Sequence, residues 1–436
     1  MFGIFASPDR KMRTHAREWL EMAEKVHHYR RDRLMESELE ELQTQIQEVR
    51  RLVKNRAERM KLKLGVESLE ETLRRLGGMH YPKSSIVENV EFFLVAAIVI
   101  LGFRAYFIQP FKIPTNSMWP SYYGMTGEVF AKPDDAPGYA ARAFRLLAFG
   151  AQRRVAESPS DGAVSADFFE NGEMAFTVKK GRHWLVLPTV VREYTFYVGG
   201  APTSISVPVD FRDVDKMLRE VYFGGEAEFA AYVRKITRNG TELTQSVMVV
   251  DENTRAKKRV VRIPLNRSVE KGDSVLEFDV LTGDQLFVDR VSYHFVKPSV
   301  GQGFVFRTGQ IDSPYMRDRD TKRQIDEYYI KRLVGTPGDT LEIKDYTLFR
   351  NGKPITGTDA FDKNAQREDD YVGYRNTHDL EIGETMTVPT DQYMALGDNS
   401  ADSQDSRYWG FISAKEVIGR PIFIYYPFTK RWGPKL

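Results

Sequence analysis

The stretch IPTNSMWPSYYG, residues 113–124, sets Ser117 between two prolines, nine residues beyond the only long apolar run of the chain. A serine hydroxyl near neutral pH is a weak nucleophile and needs a base within hydrogen-bond reach. The seven histidines, at positions 15, 27, 28, 80, 183, 294 and 378, are scattered, and none stands near Ser117 in sequence. A lysine can serve instead if loss of water holds it neutral. Lys331 in DEYYIKRLVGTPGD is the best candidate, because Tyr328-Tyr329-Ile330 before it and Leu333-Val334 beyond Arg332 make an apolar strand. Alternation along a strand sends Lys331 and Arg332 to opposite faces, one able to enter an interior and the other solvent. On residue type alone, an edge lysine with a solvated head competes with this reading. A third stretch, MALGDNSADSQDSRYWG at 394–410, is dense in small polar residues around a Gly397-Asp398-Asn399 turn. Such a loop can press a hydroxyl against a lysine and set an Asp–Arg pair beside it, or be a polar turn of an ordinary β domain.

Composition narrows the chemistry. A length of 436 residues suits two or three compact units. The formal charge of +2 and 28% charged residues give no sign of nucleic-acid binding. The absence of cysteine excludes disulfides, thiolate catalysis and cysteine zinc sites. No H-x-H or H-x-x-x-H spacing occurs, which argues against a metalloenzyme.

The elements that must position Ser117 begin with residues 86–108, IVENVEFFLVAAIVILGFRAYFI. The 23 residues from Ile86 to Ile108 are enough to cross a bilayer. Glu88, Glu91 and Arg104 lie near its ends, where charges reach the headgroups. Residues 56–85 carry seven Lys/Arg and the equal window 109–138 carries two. The positive-inside rule therefore places the N-terminal region in the cytoplasm and everything after Gln109 outside. Ser117 then lies within about 30 Å of the bilayer, even fully extended.

Before the span, residues 1–82 read as a charged helical region. Leu39, Leu42, Ile46, Val49 and Val53 form a seam of less than three heptads. It predicts a long amphipathic helix or helical hairpin, with a coiled coil, and self-association through it, as the alternative. Gly77-Gly78 and Pro82 end the pattern. After residue 126 the chain reads as short strands, among them MAFTVKK, HWLVLPTVV, YTFYVGG, SVMVVD and KRVVRIPL. A helix-like stretch from Asp213 to Ile236, broken at Gly224-Gly225, interrupts them. From Gly283 the strands resume.

Taken together, FKIPTNSMWP, YYIKRLVGTPGD and GDNSADSQDSRYWG resemble, in order, the serine, lysine and GDN…S-x-D-S-R boxes of bacterial type I signal peptidases. GDQLFVDRVSYHF and PSVGQGFVF resemble further strand segments of that family. The resemblance covers roughly 86–125 and 283–427. It implies a mainly β catalytic domain of signal-peptidase-like fold, with an N-terminal α-helical region and one transmembrane helix. Residues 109–125 would start that domain and 283–436 complete it, with 126–282 an inserted β-rich module on which the family is silent.

By the same resemblance Ser117 is the nucleophile, Lys331 the general base, and Ser403 the serine that orients the lysine. Asp405 and Arg407 form a supporting ion pair. The Ser117 N–H and the hydroxyl of Thr115, where the family usually has serine, form the oxyanion hole. Phe111, Ile113, Tyr329 and Ile330 line the pockets for small side chains before the cleaved bond, and Met118 is expected at the membrane-facing surface. Ser400 stands where the family commonly has arginine, and Gln302 where it has aspartate. The implied activity is removal of signal peptides from exported preproteins at the bacterial inner membrane, without metal or organic cofactor. Expected partners are signal peptides, membrane lipid and the secretion machinery. Two rivals are a related self-cleaving Ser–Lys protease and a membrane-tethered scaffold with an inactive peptidase-like domain.

Overall fold

A computed structural model describes residues 8–82, 85–130, 135–183, 187–239, 241–252, 254–318 and 321–435. They fall into two compact units, Met1–Gly102 and Phe103–Leu436.

In the first unit, helices α1 (Pro8–Arg30), α2 (Glu36–Lys54) and α3 (Arg59–Leu76) pack together. Leu42, Ile46 and Val49 of the heptad-like seam are buried against Ala16, Leu20 and Val26 of α1 and Leu62, Val66 and Leu69 of α3. The seam is thus consumed inside one chain, which corrects the coiled-coil alternative: a seam this short closes more readily on its own neighbours than on a long partner helix. Helix α4, Ser85–Tyr106, is different in kind. It holds the stretch Ile86–Tyr106, of mean hydropathy 2.2, none of whose most apolar window is buried in the protein. Apolar side chains point outward all round it, so it is not the core helix of a soluble fold. It ends at Tyr106 rather than Ile108, because Ile108 already pairs with Asp289 in a sheet.

The second unit is mainly β. An antiparallel eight-stranded sheet runs, in spatial order, Ile108–Lys112, Gln285–Asp289, Val417–Tyr426, Gly303–Arg307, Tyr328–Gly335, Gln392–Leu396 and Ile412–Ser413, with Gly433–Pro434 alongside Val417–Tyr426. A smaller sheet built on Thr340–Lys344 and Thr347–Arg350 shares a core with its Val334, Met394 and Leu396.

Between the first two strands of the large sheet the chain makes a detour. Thr126–Val129 leaves and Ser274–Leu281 returns as paired antiparallel strands. The intervening residues build a six-stranded sheet, covered by helices α6 (Val214–Phe223) and α7 (Glu226–Arg238) around Phe168, Phe196, Phe211, Leu218 and Phe229. Helix α5 (Tyr139–Phe149), capped by left-handed Gly150, lies in a stretch read as strands. HWLVLPTVV is not one strand: His183 ends Phe176–His183, Leu187 begins Leu187–Val198, and 184–186 lie outside the described residues. YTFYVGG runs on from that same second strand, its last two residues beyond the end.

Candidate active site

The serine segment is shaped by what it cannot do. Pro114 and Pro120 have no N–H, so strand pairing stops after Ile113, whose N–H reaches the Asp284 carbonyl. Asn116 then ties the loop: its Oδ1 accepts the Gly124 N–H at 2.9 Å and its Nδ2 donates to the Met125 carbonyl at 3.3 Å. Gly124 is required there, since a Cβ would lie 2.3 Å from the Thr115 carbonyl carbon. A second loop, 397–399, clasps the first. Asn399 donates its N–H to the Ser117 carbonyl at 3.1 Å and its side chain to the Asn116 carbonyl at 3.2 Å.

Ser117 and Lys331, 214 residues apart, meet at this clasp. Lys331 Nζ donates to Ser117 Oγ at 2.5 Å, with the two residues 4% and 9% exposed. Burial lowers the lysine to about 8, the charge of Asp405 opposing that shift and Arg407 adding to it. Its Nζ also lies 5.8 Å from the centroid of the Tyr329 ring. Among the described residues no backbone carbonyl takes the Ser117 N–H. Thr115 is half-buried beside it.

Asp405 and Arg407 form a fully buried two-pronged pair, Nε and Nη2 each 2.8 Å from a carboxylate oxygen. Asp405 also accepts the Gly397 N–H at 2.9 Å. Ser400 accepts from Arg407 Nη1 at 2.7 Å and from the Arg375 N–H at 2.9 Å, so a small hydroxyl fills the place beside this guanidinium. Gln302 accepts from the Ser299 N–H and the Tyr293 hydroxyl through Oε1, an acceptor role open to either an amide or a carboxylate.

Three expectations need correcting. Arg332 does not face solvent. It is 6% exposed, its guanidinium held by Asp398 at 2.5 and 2.6 Å and by the Gly301 carbonyl at 2.6 Å. The opposite face of the strand is covered by protein, so alternation gave the direction but not the destination. Met118 is fully buried among Ile113, Tyr122, Leu286 and Ile424, not at a surface. The Ser403 hydroxyl is buried near the Cα of Gly397, and it makes no hydrogen bond to Lys331 or to any other described residue.

Of the four pocket residues, Phe111, Ile113 and Ile330 pack in one apolar cluster, while Tyr329 packs with Phe306 and Trp409 in another. The inserted module also reaches this region. Burial raises the Tyr329 hydroxyl and Arg212 of the module draws it back. Sequence reading missed Asn116, Asp398 and Asn399. The signal was present for Asp398, because an arginine inside an apolar strand must find a carboxylate.

A hydroxyl held against a depressed lysine, with a backbone N–H beside it that no described carbonyl takes, can attack an acyl carbon and stabilise the resulting oxyanion. Comparisons with known proteins agree in kind. The family model for signal peptidase, peptidase S26, matches residues 261–426, a span that includes Lys331 and 397–407 but not Ser117. The probable signal peptidase I-1 of Synechocystis is 30% identical over 151 residues, 35% of this chain. The chain spans just under two thirds of that relative's length, 66%. Signal peptidase I of Bacillus licheniformis is 34% identical over 134 residues, 29% of this chain and 68% of the relative. A solved signal peptidase I from Enterococcus faecalis is 28% identical, matching 29% of this chain and 97% of its own, at a TM-score of 0.20.

Proposed function

This chain belongs to the signal peptidase family, peptidase S26, and from that premise we propose that it is a membrane-anchored serine endopeptidase that removes signal peptides by a Ser117–Lys331 dyad. The observation that carries the proposal is the buried 2.5 Å contact between Lys331 Nζ and Ser117 Oγ. With Lys331 neutral, the Oγ–H donates to the Nζ lone pair and Oγ attacks the carbonyl that follows a small residue. The Ser117 N–H and the Thr115 hydroxyl hold the oxyanion, and the lysine returns the proton to the departing amine. Water activated by the same lysine then hydrolyses the acyl-enzyme, so the reaction needs no metal or organic cofactor. Asp405, Arg407 and Ser403 build the wall behind the lysine, and Phe111, Ile113, Tyr329 and Ile330 line the approach.

Helix α4 would cross the bacterial inner membrane, leaving α1–α3 in the cytoplasm and Phe107 onward outside. A signal peptide still lodged in the bilayer would then present its cleavage site near Ser117. Residues 126–282 form an accessory module of this domain. Cleavage of a preprotein by the full chain in lipid tests the dyad: Ser117→Ala and Lys331→Ala should each abolish processing, and persistence in either overturns it. In the same assay Thr115→Val should lower kcat by about 10²–10³ while Thr115→Ser keeps it. A wild type that binds preproteins without cutting them would favour the scaffold reading.

A further inference from the structure

At the last turn of α4 the second unit opens a cavity of about 470 Å³, lined by Ala105, Tyr106, Arg290, Tyr293, Lys297 and Lys415 among others. His294 adds a fourth basic group, and no acidic residue lines the cavity. Among the described residues neither Lys297 nor Lys415 has a carboxylate partner, and Arg290 donates only to the neutral Gln109 amide, at 2.7 Å. The nearest acid on this turn, Asp289, is already engaged by Ser292 and Arg420. Three tyrosines, Tyr106, Tyr293 and Tyr393, line its walls. Directly beside the cationic rim, Phe295 and Val296 are 83% and 64% exposed.

We propose that this cavity binds the phosphate of an anionic phospholipid, with Arg290, Lys297 and Lys415 as its counter-charges and Phe295 and Val296 dipping among the acyl chains. Three observations converge on that ligand rather than on a soluble anion. The basic groups line one opening and have no carboxylate partner among the described residues, the opening includes the last residues of the only described helix apolar enough to span a bilayer, and the adjacent exposed side chains are apolar. Cations, tyrosines and bulky apolar groups together are the side-chain types found in the headgroup zone of a membrane. The lipid would hold the catalytic sheet at a fixed height, since Val417 and Ile418 of the cavity belong to the strand that pairs with Gly303–Arg307, the neighbour of the lysine strand. This inference rests on the reading of α4 as a membrane span.

The test is retention of phosphatidylglycerol by the full-length chain carrying Ser117→Ala, measured by native mass spectrometry from mixed phosphatidylcholine–phosphatidylglycerol nanodiscs. Because the readout is binding in an inactive background, it fails or succeeds independently of the peptidase reading. Selective retention of phosphatidylglycerol over phosphatidylcholine is expected, falling by about fivefold for each of Lys297→Gln and Lys415→Gln. Lys257→Gln with Lys271→Gln, two exposed changes in the inserted module, should leave it unchanged. Equal loss in that control, no preference between the lipids, or displacement by millimolar glycerol phosphate would each overturn the proposal. The last outcome would assign the cavity to a soluble phosphate.

Discussion

A lysine becomes a base only where water has been stripped from it, and the same stripping makes it a liability to the fold. Lys331 is lowered to about 8 by burial, so at pH 7 only about a tenth of the molecules hold it neutral. The rate of preprotein cleavage should therefore rise about tenfold per pH unit below 8 and level off above it, as read from a pH–rate profile. The stability consequence has the opposite origin. The folded pKa lies below the unfolded value, so the folded state binds fewer protons between about pH 8 and 10.5, and stability rises with pH across that window. Below it the buried charge costs about 3 kcal/mol. Lys331→Met should thus be inactive yet stabilise the second unit by about 2–3 kcal/mol at pH 7 in denaturant titrations, the gain shrinking below about 1 kcal/mol by pH 10. No gain at pH 7 would mean that the charge is solvated through a path the burial does not reveal. Ser117 and Lys331 were legible by type, spacing and resemblance. Arg332 and Met118 were not, because a residue's face on a strand or loop is local while the cover over that face comes from chain far away.

At the level of elements the site is a clasp of two loops on a sheet, and glycine is what lets them close. A Cβ on Gly397 would stand 2.5 Å from the Ser117 carbonyl oxygen and 2.1 Å from Ser403 Oγ. The first of these is backbone and cannot rotate away. Gly397→Ala should push the serine loop off the lysine and lower kcat by about a hundredfold, the scale of loss that a 1 Å displacement brings. Processing kinetics alongside a thermal melt would separate this from unfolding; wild-type kcat would show that Ser117 is held from elsewhere. The polar turn around Gly397 was visible in the sequence, but its partner loop was not, because hydrogen bonds from Asn399 to residues 116 and 117 leave no periodic trace. Helix α5 escaped for a related reason: its apolar residues Phe144 and Leu147 remain exposed, so no buried stripe marks it. The Gly224-Gly225 break, in contrast, marks the boundary of α6 and α7 directly, since Gly224 takes the left-handed cap at φ 81°.

For the whole molecule, the long interval between Ser117 and Lys331 costs little because the detour returns beside its own departure. Thr126 pairs with Leu281 and Val129 with Phe278, so the large sheet receives its second strand as though the module were a turn. The detour's internal fold could not be read, since its strands have no family pattern to set their order. The N-terminal bundle likewise closes its own core, with Leu42, Val49, Leu69 and Leu73 all buried within α1–α3. Its proposed service to catalysis is then electrostatic: seven Lys/Arg in 56–85 against two in 109–138 hold α4 in one orientation. A chain begun at Pro82 keeps only Lys83 on that side and should insert in mixed orientations. Protease protection of the catalytic domain should reveal the inverted fraction, and processing of an exoplasmic cleavage site should fall in proportion. Six lysines placed before Ile86, with no helices restored, should recover a single orientation and the full rate. Uniform orientation without those charges would show that the bundle, or the folding of the β domain itself, fixes the topology and that charge counting misassigned the cause.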